Sequence, residues 1–129
     1  MASIADTRTA IMEAVEAIPL RCFDYAPQNL PFPCAVVGFP SRYDPSDTFS
    51  DTATLTIPVT LYVRYSSNRA AEDELESYLD TSGDLSIIAA VEAIGSNYVV
   101  AAVRDFGLLT GTNDQPIALG CVVDVNVFA

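Results

Sequence analysis

Residues 53–65 alternate without a break. Ala53, Leu55, Ile57, Val59, Leu61, Val63 and Tyr65 interleave with Thr54, Thr56, Pro58, Thr60, Tyr62 and Arg64. Successive strand side chains point to opposite faces, so this period of two predicts a strand with one face in a core. Pro58 has no N–H to offer a neighbour, which predicts an edge strand or a bulge at that position. Residues 117–128 alternate as well, with Ile117, Leu119, Cys121, Val123, Val125 and Val127 on one face. The other face keeps Ala118, Gly120, Val122 and Phe128 and is partly apolar, so helices on both sides or a neighbouring subunit must cover it. A short apolar run at 34–39, bounded by prolines, and a run at 98–106 predict two further strands.

Three segments carry helical spacing instead. Ile4, Ile11, Ala14, Val15 and Ile18 share one face, Ser3 and Asp6 form a capping-box pattern, and Pro19 ends the run, predicting a helix over 4–18. A second helix opens after 66–68. It carries Ala71, Leu75, Tyr78 and Leu79 on one face, with Glu72, Asp73, Glu74 and Glu76 in its early turns, and it breaks at Gly83. A third runs from about Asp84, with Leu85, Ile88, Val91 and Ile94 on one face and Gly95 as its stop. Residues 20–33 hold Pro27, Pro31 and Pro33 among Phe23, Tyr25, Leu30 and Phe32. They read as an extended arm packed over the domain, with room for a short strand pairing at its start. Residues 40–52 and 107–116 read as loops.

The predicted order is α-β-β-α-α-β-β: an α+β fold with a mostly antiparallel four-stranded sheet and helices packed on it. The 129 residues suit one domain spanning 1–129. Half the residues are hydrophobic and only 18% are charged, which argues against disorder and hints at apolar surface buried against another subunit.

Charge narrows the partners. Seventeen acids against six Arg (8, 21, 42, 64, 69 and 104) and no Lys give a net charge of −11. The Arg residues are scattered, whereas a nucleic-acid grip needs several cations on one face. The same acidity argues against an anionic membrane surface. No run approaches the roughly 18 apolar residues of a membrane span, and the first residues lack a signal-peptide plan, so a cytosolic origin is expected.

Candidate chemistry is sparse. The chain has no His, the commonest general base and metal ligand. Cys22, Cys34 and Cys121 form no close pair and read as small buried hydrophobes in a reducing compartment. Asp44, Asp47 and Asp51 share a loop, but Pro45 and the absence of a central Gly do not match a calcium loop. The six Gly residues form no phosphate-binding run. The expectation is a protein that is no enzyme and has no cofactor and no metal. Interaction suits the loops better. Arg42, Tyr43, Asp44 and Phe49 lie in one charged loop, and Leu108 and Leu109 adjoin in a turn-rich one. Aromatics and Arg are enriched at interface cores. With Val122 and Phe128 on the second face of the last strand, these are the candidate interface residues.

The layout resembles a known family. A short helix leads to DYAPQNLPFPCAVVGFP, then to TATLTIPVTLYVRYSSNRAAEDELESYL, then to SGDLSIIAAVEA and two closing strands. LPFPCAVVG, RAAEDELESYLD and SGDLSIIAAVEA are the most telling parts. Over nearly its whole length the chain is similar to tail terminator proteins of long-tailed, siphovirus-type bacteriophages, especially those of actinobacteria. The resemblance implies a structural virion protein of the tail and neck, made in the host bacterial cytoplasm. It implies a homo-oligomeric, six-fold ring that caps the tail tube, ends its polymerisation and joins tail to head. The implied partners are further copies of the chain, the major tail tube protein and a head-completion (stopper) protein, with DNA passing through the lumen and no membrane. A strongly negative lumen would repel DNA phosphates and let the DNA slide. The alternatives are a head-completion or adaptor protein of the connector, and a non-viral oligomeric interaction module.

Overall fold

A computed structural model describes residues 4–18, 20–23, 33–44, 54–65, 67–80, 83, 85–110 and 115–128. The order is α1 (Ile4–Glu16), β1 (Arg21–Phe23), β2 (Cys34–Val37), β3 (Arg42–Asp44), β4 (Thr54–Arg64), α2 (Asn68–Leu79), α3 (Ile87–Glu92), β5 (Tyr98–Thr110) and β6 (Pro116–Phe128). The fold is α+β, as the periodicities predict. Its sheet has six strands rather than four, in the order β1-β2-β4-β6-β5 with β3 also on β4. It is mixed: β1 runs parallel to β2, and every other pair is antiparallel.

The alternating segments form the centre of the sheet. β4 and β6 pair over the whole length of β4, from Thr54 opposite Phe128 to Arg64 opposite Ala118. This register puts Leu55, Ile57, Val59, Leu61 and Val63 on the same face as Val127, Val125, Val123, Cys121 and Leu119. All five β4 side chains are fully buried. Ile11 and Val15 of α1, Ala71, Leu75 and Tyr78 of α2, and Ile87 and Val91 of α3 join them in one core. Truncating any large member to Ala costs about 2–5 kcal/mol.

β4 is therefore a central strand, so of the two readings of Pro58 the edge does not hold, while the irregular pairing does: from Val37 to Arg42 the neighbouring chain takes five steps against three on β4, from Val59 to Thr56. The reason lies in its other neighbour. β2 pairs with residues 59–62 of β4, and β3 pairs with residues 54–56 along the same side. Pro58 falls in the interval between them. Its carbonyl accepts from the Gly38 N–H at 2.8 Å, and pairing resumes where the Ser41 N–H donates to the Thr56 carbonyl at 2.9 Å. The donor that proline lacks would point into a gap the neighbouring chain leaves anyway. A Cβ on Gly38 would stand 3.0 Å from Pro58 Cγ, so this crossing favours glycine.

Other boundaries shift for local reasons. α1 ends at Glu16, two residues early, and Ile18 stays buried through an N–H bond to the Val15 carbonyl at 3.0 Å. The capping residue Ser3, Pro19 and most of the predicted arm lie outside the described residues; Arg21–Phe23, at the arm's start, is a strand. α3 starts at Ile87, later than predicted, because Ser86 is its N-cap: its Oγ accepts from the Ala89 N–H at 3.0 Å and donates to the Asp80 carbonyl. That bond ties the end of α2 to the start of α3, and it leaves Leu85 exposed ahead of the helix. Of the predicted 107–116 loop, residues 107–110 and 116 are strand, and 111–114 lie outside the described residues. β5 continues to Thr110, and Gly107, Leu108 and Leu109 pair with Gly120, Leu119 and Ala118.

On the open face of the sheet Tyr62 lies over Gly120, its partner in register. A Cβ at position 120 would meet Tyr62 Cδ1 at 2.7 Å and the Leu61 carbonyl oxygen at 3.0 Å. Gly120→Val is expected to destabilise the fold by about 1–3 kcal/mol, read as a lowered melting temperature. Part of that loss should return in Gly120→Val/Tyr62→Thr; a double variant as unstable as the sum of the two singles would show that the ring is not what glycine accommodates. The cysteines give a second prediction. All three are buried, and burial pushes the Cys34 and Cys121 thiols from an ordinary 9.0 up to about 11. These two thiols should react with a disulfide reagent at pH 8 only after denaturation. Between pH 9 and 11 the unfolded chain loses thiol protons that the folded chain keeps, so stability should fall as pH rises through that window. Fast labelling of either thiol in the native protein would contradict the burial.

Candidate interaction surface

The helices pack on one face of the sheet; on the opposite face, called the open face because none of the described helices packs there, most side chains are half-buried or exposed, though Cys34 and Ala118 are buried. The open face is built from the even positions of β4 and β6, so side-by-side rows follow from register. Asp44, Thr54 and Phe128 occupy one row across β3, β4 and β6; Arg42, Thr56, Asn126 and Val99 occupy the next. Thr56 Oγ1 donates to Asn126 Oδ1 at 2.9 Å, fixing that row by a cross-strand side-chain bond. Thr60, Val122 and Arg104 form a row further along, and Arg64, Ala118 and Leu109 another near the far end.

The sequence-predicted interface residues thus divide. Arg42 is exposed on β3, and Phe128 is exposed 44% at the same end of the sheet, with the backbone positions of Asp44 and Tyr43 beside them. Val122 sits half-buried in the middle of the open face. Leu108 and Leu109 lie toward the other end. They are consecutive strand residues, so they do not act as one patch: Leu108 is 51% exposed and Leu109 is half-buried in register with Ala118. Phe49 lies outside the described residues. The structure brings together Arg42, Asp44 and Phe128, and separates them from Leu108 and Leu109.

Sequence reasoning missed the edge strand as a whole. β5 is a 13-residue edge, and most of its side chains are exposed. Irregularities interrupt its pairing between Val100 and Ala102, between Arg104 and Gly107, and between Leu109 and Thr110. The middle one matters most. Three residues advance from Arg104 to Gly107 while β6 advances two, from Val122 to Gly120, so one residue is extra. Asp105 takes up the kink with φ +57°, a left-handed value that Asp tolerates better than most residues. Arg104 clamps it. Its Nε donates to Asp124 Oδ2 at 2.6 Å, its Nη2 to Asp124 Oδ1 at 3.2 Å, and its Nη1 to Asp105. The hydrogen bond to Asp124 is the main influence raising the guanidinium pKa, so Arg104 is cationic at every relevant pH.

The bulge turns Phe106 away from the open face and toward α2. There it lines a groove of about 650 Å³ with Leu75, Leu79 and Leu119, rimmed by Glu72, Glu76 and Asp80. The five α2-side residues follow one helical stripe, at 72, 75, 76, 79 and 80. Phe106 remains 59% exposed. Adjacent charges at Arg104 and Asp105 inside an apolar run were the available signal that alternation breaks here. A second missed aromatic is Phe39, predicted in a buried strand but 69% exposed just past β2. The Arg8 guanidinium sits 5.8 Å from the centre of its ring and donates to the Val37 carbonyl at 3.0 Å, joining α1 to the end of β2.

Among the described residues no three His, Cys, Asp or Glu side chains come together as a metal set. None of the helices in the described residues is long and apolar enough to cross a membrane. The Tyr78 hydroxyl, raised by burial and then by Glu74, belongs to the core. Among the described residues the surface features are the second sheet face, the exposed edge strand β5 and the groove beside α2. Set against known proteins, the chain matches no family model and no curated protein sequence.

Proposed function

We propose that this protein is a structural subunit of the phage tail-terminator kind, which closes into a homo-oligomeric ring, caps a tail tube and joins it to the head. The observation that carries the proposal is the asymmetry of the sheet. Among the described residues one side ends in the long exposed strand β5, bearing Val99 and Leu108; the other ends in the three-residue β1. Unpaired edges invite pairing with another chain. Two unlike edges suit the head-to-tail contacts of a cyclic assembly, in which one patch of each subunit meets a different patch of the next. The layout of LPFPCAVVG, RAAEDELESYLD and SGDLSIIAAVEA supports the same family. The net charge of −11 suits a wall that DNA must pass without adhering. A chain without His, whose conspicuous features are contact surfaces, favours a mechanical role over a catalytic one.

The ring depends on β5, so Leu108→Ala/Leu109→Ala should leave the melting temperature within a few degrees while impairing assembly, measured as particle mass by light scattering. Unchanged assembly would remove this part of β5 from the interface. The role itself is tested in the encoding phage by a stop codon early in the gene and negative-stain microscopy of the lysate. Filled heads beside unjoined, overlong tubes are the expected result. Tails of normal length beside leaking heads would place the protein on the head-completion side, and normal virions would overturn the proposal.

A further inference from the structure

The groove beside α2 has the parts of a docking site for a basic, amphipathic segment of another protein. Its floor is apolar: Leu75 and Leu79 from α2, and Leu119 from β6. Its wall is Phe106, held over the floor by the Asp105 bulge and left more than half exposed. An ordinary alternating strand would have carried Phe106 on the open face with Arg104. The extra residue, the left-handed Asp105 and the Arg104 fork onto Asp124 together hold it on the helix side.

Charge selects the occupant. Glu72, Glu76 and Asp80 form the rim, and no Arg is among the groove's described lining residues. Each carboxylate sits next to an apolar position on the same helical stripe, so an inserted side chain passes within reach of a negative group. We infer that the groove between α2 and the β5 bulge binds a segment of a different protein that presents apolar anchors flanked by Lys or Arg. A second copy of this chain is the poorer fit. It carries −11 itself, has no Lys, and spreads its six Arg residues among 17 acids. Groove-bound helices use anchors spaced i, i+3, i+4 and i+7, the spacing that also orders the α2 stripe. The groove takes such a segment whether or not the chain closes into a ring.

The test is selection from a display library of random peptides of about 16 residues, enough for an i to i+7 anchor pair. The full chain is the bait, with counter-selection on Phe106→Ser. Phe106 is largely exposed, so the variant should fold, which its melting curve checks; Glu72→Gln/Glu76→Gln, on exposed helix positions, serves as a second variant. Enriched peptides should carry Leu, Ile or Phe anchors with Lys or Arg on both flanks. Their binding should weaken about tenfold with Phe106→Ser, as for an interface anchor, and several-fold with the Gln pair. It should also fall as salt rises from about 0.05 to 0.5 M. No enrichment, enrichment without basic flanks, or equal binding to wild type and both variants would overturn the inference. A homo-oligomer whose mass drops with Phe106→Ser would assign the groove to a second copy and overturn it too.

Discussion

The eleven-residue register between β4 and β6 is the constraint on which the rest of the molecule depends. Side chains alternate with a period of two, so sliding one strand by a single residue would carry five buried β4 side chains to the open face. Nothing else in the chain is as strongly determined. The register sets where the helices can dock, because only the face with Leu55 to Val63 and Cys121 to Val127 is continuously apolar. It places Pro58 beside the end of β2, where Gly38 donates to the Pro58 carbonyl but receives no N–H in return. It also fixes the open face, where Gly120 leaves room for the Tyr62 ring.

β5 obeys a different logic. Among the described residues it pairs with β6 alone, and that antiparallel ladder holds it despite its irregularities. Glu92 at the end of α3 accepts from the Val100 N–H at 3.2 Å, a partial cover for an edge that would otherwise be open. Further along the strand, Phe106 and Leu108 are exposed. The Arg104 clamp belongs to this half of the strand. Surface ion pairs contribute little to stability in general, and Arg104 and Asp105 are both well exposed. Its consequence is geometric: it stabilises a kinked backbone at Asp105, and that kink decides which face Phe106 occupies.

The parts legible in the sequence were those with a long period. β4 and β6 announce themselves through alternation, and the cores of α1 and α2 through the spacing of Ile11 and Val15 and of Ala71, Leu75 and Tyr78. β1 and β3 have three residues each, too few for any periodicity, and exist only because β2 and β4 offer free edges. Pro58 signals an edge or a bulge but not which, since the extra residues lie in the neighbouring chain between β2 and β3. The same holds for the interface residues. Leu108 and Leu109 look like a pair when 107–116 is read as a loop; on a strand they must diverge. Phe106 looked like the last residue of a strand, because one extra residue in a bulge is invisible until its partner strand is known.

Charge gives the two proposed contact surfaces different characters. Identical subunits that each carry −11 repel one another, so the contact between copies in the proposed ring would rest on apolar area and backbone pairing, for which β5 offers Val99, Leu108 and its outer ladder. Salt screens that repulsion and favours such a contact. The α2 groove is the reverse case. Its acidic rim opposes a second copy and draws in a cationic partner, and salt weakens that attraction. One edge strand would therefore serve both proposed surfaces: its ladder faces along the sheet, and its bulge turns one aromatic to the helix side, where the charge of the rim disfavours the chain's own kind.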